Sequence, residues 1–323
     1  MASLTDWRVP PAAQPRIEDY DFDLDRALSA VVGLHAIVPS SAFSAETLGV
    51  ERSGNGVMID DGLILTIGYL ITEAETVWVH LGDGRVLPGH PLAVDAENGF
   101  GLVQVLGSID LVPLPLGNSK TVKAGDAAVL GGVGGRTRSV ACRIIAKEEF
   151  AGYWEYALDE ALFCYPSHPN WGGTGLISAS GELIGIGSLQ LERVQNNKNE
   201  HLNMVVPIDL LKPGLDDMRR FGRVNRPARP WLGIYSTEVD DKVVVVGLSS
   251  RGPAAEADLK TGDVILAVDG ETIASQMELY RKIWGLGPAG VSVPLTLHRD
   301  GLTFDTVLQS ADRARFQYRP RLH

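Results

Sequence analysis

From Val31 to Val206 the chain runs in short apolar segments rich in Val, Ile and Leu. These are broken at intervals of about ten residues by Gly, Asp or Asn, the spacing of strands and turns in all-β domains. Segments such as VMIDDGLILTIGYLI, LVQVLG and AAVLGGVGG are too short and too β-branched to favour helix, and the turn residues behind each one reverse the chain. A region built this way folds as antiparallel β structure, closed into a barrel or stacked as a sandwich.

A helical pattern follows in PIDLLKPGLDDMRRFG, where Leu210, Leu211, Leu215 and Met218 recur at helical spacing and Gly222 supplies a stop. RVNRPARP then carries Pro227 and Pro230 among cations and reads as a linker. Beyond Trp231, the strand-like runs KVVVVGL and VSVPLTLHRDG bracket GDVILAVDG and the helix-like SQMELYRKIWG, a small α+β module. A chain of 323 residues is long enough for two cores. The expected division is an N-terminal tail over 1–24, a β domain over 25–222, a linker over 223–230, the α+β module over 231–312 and a tail over 313–323.

Forty acidic against 29 basic residues leave a net charge of −11, which phosphate backbones and anionic headgroups repel. Nucleic acid and membrane surfaces are therefore excluded as expected partners. The longest apolar stretch, Ala27 to Pro39, is interrupted by Ser29 and His35 and is too short to span a bilayer. The opening residues lack a basic segment followed by an apolar one, so the sequence as written reads as cytoplasmic, or as periplasmic if a signal has been removed. Cys142 and Cys164 are too few for a disulfide framework or zinc site and read as buried thiols. No metal and no cofactor is expected.

The stretch DGLILTIGYLITEAETVWVHLGDGR, Asp61 to Arg85, resembles without a gap the catalytic-histidine segment of the high-temperature-requirement A (Deg) family of trypsin-like serine proteases. VDAENGFGLVQV and HPNWGGTGLISASGELIGI match the family's next two blocks, VVPIDLLKPGLDDMRRFG its closing helix, and RPWLGI with GPAAEADLKTGDVILAVDGETI its PDZ module. The resemblance implies a mainly β protein, a trypsin-like double β-barrel followed by a small α+β PDZ domain.

Acyl transfer of this type needs a hydroxyl nucleophile, an imidazole base and a carboxylate to orient it. The positions that resemblance assigns to histidine, aspartate and serine hold Tyr69, Gly99 and Gly172, and a gapped alternative puts Trp171 at the serine position. The expectation is a pseudoprotease, a non-enzyme with no catalytic residues, acting as a peptide- or protein-binding scaffold or adaptor. Two alternatives stay open: an accessory subunit of a larger enzyme assembly, and a serine endopeptidase with a non-standard site. Thr174, Ser178, His168 and Cys164 are the nearby groups such a site would draw on. The loop Asn170–Gly173 stands where family members aim amides at the substrate carbonyl, although Asn170 and Gly175 depart from the family's glycine and proline. If Tyr69 fills the cleft toward Gly99 and Gly172, its hydroxyl must find a partner.

By the same resemblance the PDZ module binds protein or peptide C-termini, with Trp231, Leu232, Gly233 and Ile234 forming the carboxylate-binding loop. On the helix SQMELYRKIWG, Leu279 and Ile283 face the core, which leaves Met277, Tyr280, Arg281 and Trp284 as candidates for the groove wall. Asp263 and Asp269 read as turn caps. Family members commonly trimerise through N-terminal aromatic residues, so Trp7, Tyr20 and Phe22 make a homo-oligomer or a larger complex the remaining partner expectation.

Overall fold

The short β-branched runs become strands, and the Gly, Asp and Asn positions between them become turns, in a computed structural model that describes residues 7–195 and 198–318. Six strands close the first barrel: β1 (Val31–Ile37), β2 (Glu51–Asp60), β3 (Leu63–Ile67), β4 (Thr76–His80), β5 (Val86–Val94) and β6 (Phe100–Val105), in the order β1-β2-β3-β6-β5-β4. Six more close the second: β7 (Ala127–Gly131), β8 (Val140–Gly152), β9 (Tyr156–Tyr165), β10 (Gly175–Ser178), β11 (Leu183–Gln195) and β12 (Lys198–Pro207), in the order β10-β11-β12-β9-β8-β7. Closure removes the exposed strand edges that an open sheet would leave. Val32, Ile64, Leu65, Phe100 and Leu102 are buried in the first barrel, and Leu130, Ile144, Leu162, Leu176 and Val205 in the second.

The chain divides into two compact units. The first comprises Met1–Glu148, Glu160–Asn225 and Tyr318–His323, the second Glu149–Asp159 and Arg226–Gln317. In the first unit the single helix expected after Pro207 is two pieces, a 3-10 turn over Ile208–Leu210 and a helix over Leu215–Phe221. Pro213 has no N–H to continue a helix and Gly214 follows it, so the second piece starts afresh. Gly222 ends it with φ 68°, its amide bonded to the Met218 carbonyl. The N-terminal aromatic residues pack within this unit: Trp7 lies edge-on to His168 with ring centroids 5.4 Å apart, and Tyr20 lies against Phe22 at the same distance.

The second unit is a sheet of β13 (Ile234–Val239), β14 (Lys242–Leu248), β15 (Val264–Val268), β17 (Ser292–Arg299) and β18 (Leu302–Gln309), joined in that order, with β16 (Glu271–Thr272) paired to β15. The helix Gln276–Gly285, whose Ser275 cap accepts from the Glu278 amide, lays Leu279 and Ile283 into a core with Leu232, Val243, Ile265 and Leu295. Asp263 is buried, accepts from the Lys260 amide at 2.9 Å and pairs through both oxygens with Arg299 at 2.5 and 2.6 Å, a turn cap held by a charged fork. Residues Glu149–Asp159, the outer end of the β8–β9 hairpin, belong to this unit, and Ala157 is buried in its core.

Candidate functional site

At the junction of the two barrels a 3-10 turn over Gly68–Leu70 follows β3 and carries Tyr69. The phenol oxygen donates to the carbonyl of Ser188 at 2.8 Å. Burial pushes the Tyr69 phenol well above its ordinary range, so the group stays protonated. The side chain fills the space beside Gly172: a Cβ added there would stand 2.7 Å from the Tyr69 hydroxyl. Gly99, at φ 82°, gives its amide to the Asp95 carbonyl and takes the Gly68 amide at 2.6 Å, a tight turn beside the tyrosine.

Asn55 on β2 organises the loop opposite. Its amide donates to the Gly172 carbonyl at 2.8 Å, and its side-chain nitrogen donates to the carbonyls of Asn170 and Gly172 at 2.9 and 3.3 Å. Its side-chain oxygen accepts from the Val133 amide at 3.0 Å. Gly173 turns through φ 76° and gives its amide to the Gly187 carbonyl at 2.8 Å. The loop thus turns two carbonyls toward Asn55 and commits the Gly173 amide to β11.

The other groups near this loop have structural partners. His168 is buried, its Nε2 lies 2.7 Å from the Arg138 carbonyl, and its Nδ1 accepts from the Asn170 amide at 3.1 Å. Burial lowers its pKa, so the ring is neutral and bonded through both nitrogens. Thr174 is buried and donates to the Trp171 carbonyl at 2.9 Å, whereas Ser178 pairs with Ser180 in an exposed turn. The Cys164 thiol is raised by its contact with Cys142 and by burial, the reverse of an activated nucleophile. Among the described residues no group of three or more His, Cys, Asp or Glu is placed to hold a metal ion.

In the second unit the loop Trp231–Ile234 is rigidly held. Trp231 exchanges both backbone bonds with Ala311, the Leu232 carbonyl takes the Ala254 amide and the Gly233 carbonyl takes the Ser249 amide. Gly233, at φ 79°, turns the chain so that three successive amides, of Leu232, Gly233 and Ile234, point to one place. Successive amides aimed inward make an anion cradle. A carboxylate stands in it: Glu155 Oε1 accepts from Gly233 at 2.6 Å, Ile234 at 2.8 Å and Leu232 at 3.2 Å, and Oε2 accepts from Leu232 at 2.9 Å. The residue is half-buried and its carboxylate is the enclosed part, so burial pushes that carboxyl up to about 7 against the pull of the amides and of Arg313.

Of the helix residues singled out in the sequence, Met277 lies in the core and Tyr280 is buried, its hydroxyl donating to the Gly152 carbonyl at 2.8 Å. Trp284 stacks on Tyr280 with centroids 5.6 Å apart and lies under the Arg229 guanidinium. Arg281 pairs with Asp159 at 2.6 Å and Glu149 at 3.2 Å. Tyr280 and Arg281 thus both meet the 149–159 segment. Sequence reasoning missed Glu155, and the only local signal was a run of aromatic residues, Phe150, Tyr153, Trp154 and Tyr156, unusual for a hairpin end.

Two closed six-stranded barrels, followed by a sheet-and-helix unit with an amide cradle, define a trypsin-like fold joined to a PDZ domain. The trypsin-like peptidase domain family matches residues 54–186 and the PDZ domain family residues 230–308. The probable periplasmic serine endoprotease DegP-like of Halomonas elongata is 30% identical over 77% of this chain, and the serine endoprotease DegS of Salmonella typhimurium is 26% identical over 94%. The chain spans about half the length of the first (54%) and most of the second (91%). The solved HtrA-type protease AlgW with decapeptide shares the fold, with TM-score 0.54 at 20% identity, over 90% of this chain and 97% of that one. These matches support the HtrA/Deg family of trypsin-like serine proteases with a PDZ domain for this chain.

That finding corrects the expectation of a non-enzyme. The relatives are named serine endoproteases at 26–30% identity, which points to a protease. The physical reason lies in scope: Tyr69, Gly99 and Gly172 speak for three positions and one mechanism, whereas the identity extends across both units. The cytoplasmic expectation also finds no support, because relatives of this chain are named periplasmic. Among the described residues no helix is long and apolar enough to cross a membrane.

Proposed function

We propose that this chain is an HtrA/DegS-like protein that takes hold of polypeptide C-termini through its PDZ unit. One observation carries the reading: the amides of Leu232, Gly233 and Ile234 converge on a carboxylate at 2.6–2.9 Å, beside β13 at the end of its sheet. A strand edge with a carboxylate cradle at its head is what an extended C-terminus needs, main chain for affinity and cradle for the terminus. The AlgW relative, solved with a decapeptide, supports the same ligand class. Cleavage of a polypeptide recognised in this way, and work in the periplasm, extend the proposal from the named activity and compartment of the relatives. Side chains other than Tyr69, Gly99 and Gly172 would have to supply the nucleophile and base for that step.

Titration with a fluorescein-labelled decapeptide ending in three apolar residues and a free carboxylate tests the binding half. Binding on the order of micromolar is expected, about −8 kcal/mol. It should be lost on amidation of the peptide and on Gly233→Val, which puts a branched side chain at φ 79° against Gly252 and Ser249. Equal binding of the amidated peptide would refute it. Turnover of labelled casein reads the cleavage half, and absence of turnover would withdraw that half alone.

A further inference from the structure

The cradle that would receive a ligand's terminal carboxylate is already filled by the chain itself. Besides the bonds to Glu155, the Ser236 amide of β13 donates to the carbonyl of Tyr153 at 2.9 Å, and the Tyr280 hydroxyl donates to the carbonyl of Gly152 at 2.8 Å. From Tyr153 to Glu155 the segment therefore runs against the direction of β13, from Ser236 back toward Leu232, and ends with a carboxylate in the cradle. A bound C-terminus would make the same pattern, main-chain contact along the strand and carboxylate at its head. Glu155 adopts φ 57°, a left-handed conformation that non-glycine residues seldom take, at the turn that aims its side chain into the loop. Around it the Tyr153 ring lies 5.8 Å from that of Tyr235, and Arg281 ties the flanking strands through Glu149 and Asp159.

We propose that the segment Gly152–Glu155 is an internal ligand of the PDZ unit, its Glu155 side chain standing in for a C-terminal carboxylate, so that an incoming C-terminus binds by displacing it. This rests on the reading of the PDZ unit as a C-terminus receptor. An internal ligand has a high effective concentration and no partner to dilute away, so an external peptide meets a site that is open only part of the time. The apparent dissociation constant is then the intrinsic one divided by the open fraction, and a latch closed nine times in ten weakens binding about tenfold. The occupant is also selective: it shares the strand edge and the cradle with a C-terminus, so a weak or amidated peptide has no means of replacing it.

Two measurements on the full chain separate the latch from the receptor reading. Amide hydrogen exchange follows Leu232, Gly233, Ile234 and Ser236 without any peptide. Glu155→Ala should speed exchange at the first three by about tenfold or more, while circular dichroism and the β14 and β15 amides stay as in the parent. Unchanged exchange in the variant overturns the internal ligand whatever the peptide does. Anisotropy with the labelled free-carboxylate decapeptide should then show about tenfold tighter binding to Glu155→Ala than to the parent. The shorter Glu155→Asp, whose carboxyl stops one methylene short of the amides, should fall between them and serves if the alanine variant misfolds. Faster exchange without any peptide binding to either protein would overturn the receptor reading and the displacement step that rests on it. Equal affinity in parent and variants would overturn the displacement directly.

Discussion

Replacing Gly172 by alanine tests how far Tyr69 has taken over the position where the family resemblance places the nucleophile. The new Cβ would lie 2.7 Å from the Tyr69 hydroxyl oxygen, 3.6 Å from its Cζ and 3.8 Å from Leu70 Cδ1. Only the first contact is impossible, and Gly172 does not need a positive φ, so the cost comes from the tyrosine and not from the backbone. Relief comes in one of two ways. If the ring stays, surrounding groups shift, at about 1–3 kcal/mol for an overpacked site. If the ring swings out, the Ser188 carbonyl loses its donor. Ser188 is buried and is the residue that the β11–β12 register skips, so this too costs about 1–3 kcal/mol. Both routes give about 2 kcal/mol, a fall of about 4–8 °C in the unfolding midpoint for a unit of this size.

The cycle is completed with Tyr69→Phe. Removing the hydroxyl leaves the nearest ring carbon at 3.6 Å, an ordinary contact, so Gly172→Ala in that background should cost less than about 0.5 kcal/mol. A coupling of about 1.5 kcal/mol between the two positions is therefore expected from thermal or urea unfolding of the four proteins. An alanine cost that is the same in both backgrounds would show that the tyrosine hydroxyl does not occupy the glycine's space, and the filled-cleft reasoning would fall.

Two further outcomes follow from the same geometry. Gly173→Ala should be far worse than its neighbour, because the added Cβ falls 1.8 Å from the Asn55 carbonyl oxygen at a φ of 76°; a loss of more than about 4 kcal/mol is expected, read as failure to recover folded protein, and a midpoint within a degree of the parent would contradict it. Docking of Glu155 should weaken as pH rises: burial raises the docked carboxyl to about 7 from an ordinary 4.5, so docking takes up a proton, is fully favoured below about 4.5 and loses about 3 kcal/mol in all by pH 7. Arg313 faces the carboxylate, and the Tyr280 phenol, pushed up to about 12 chiefly by burial, stays neutral across this window. Intrinsic-rate-corrected exchange at Leu232–Ile234 that is flat from pH 4.5 to pH 8 would refute this.

Much of the fold is legible because it rests on local rules. Period-two burial such as that of Thr76–His80, where Val77 and Val79 point inward, and turn glycines such as Gly62 and Gly84 at positive φ can be read one segment at a time. The register of the resemblance, with Asp83–Arg85 fixed behind Tyr69, likewise identified the residues that face one another at the barrel junction. What the sequence concealed was their bonding. That Tyr69 ends on Ser188, or that Asn55 gathers Asn170, Gly172 and Val133, depends on partners 78 to 119 positions away. The helical spacing of Leu210, Leu211, Leu215 and Met218 predicts one helix where Pro213 divides it into two pieces, because apolar spacing carries no record of a missing N–H.

Glu155 shows a different kind of concealment. A lone glutamate in a turn has the sequence signature of a solvated loop, and apart from the aromatic run around it nothing local distinguishes Glu155 from Glu148 or Glu160 nearby. Its partners lie 77 to 79 residues on, in a loop whose own motif, Trp231 to Ile234, is readable only as a receptor. Yet the cradle's chemistry restricts what can fill it. Three inward amides repel a cation and gain little from an apolar group, so an occupant within the same chain must be an acceptor. It must also arrive on an extended strand to use the Ser236 amide. Of the residues 149–159 that belong to this unit, Glu155 is the one set by a left-handed turn to meet both conditions. The sequence thus displayed the receptor and hid the ligand because a binding motif is contiguous, whereas an internal ligand is defined only by where the fold delivers it.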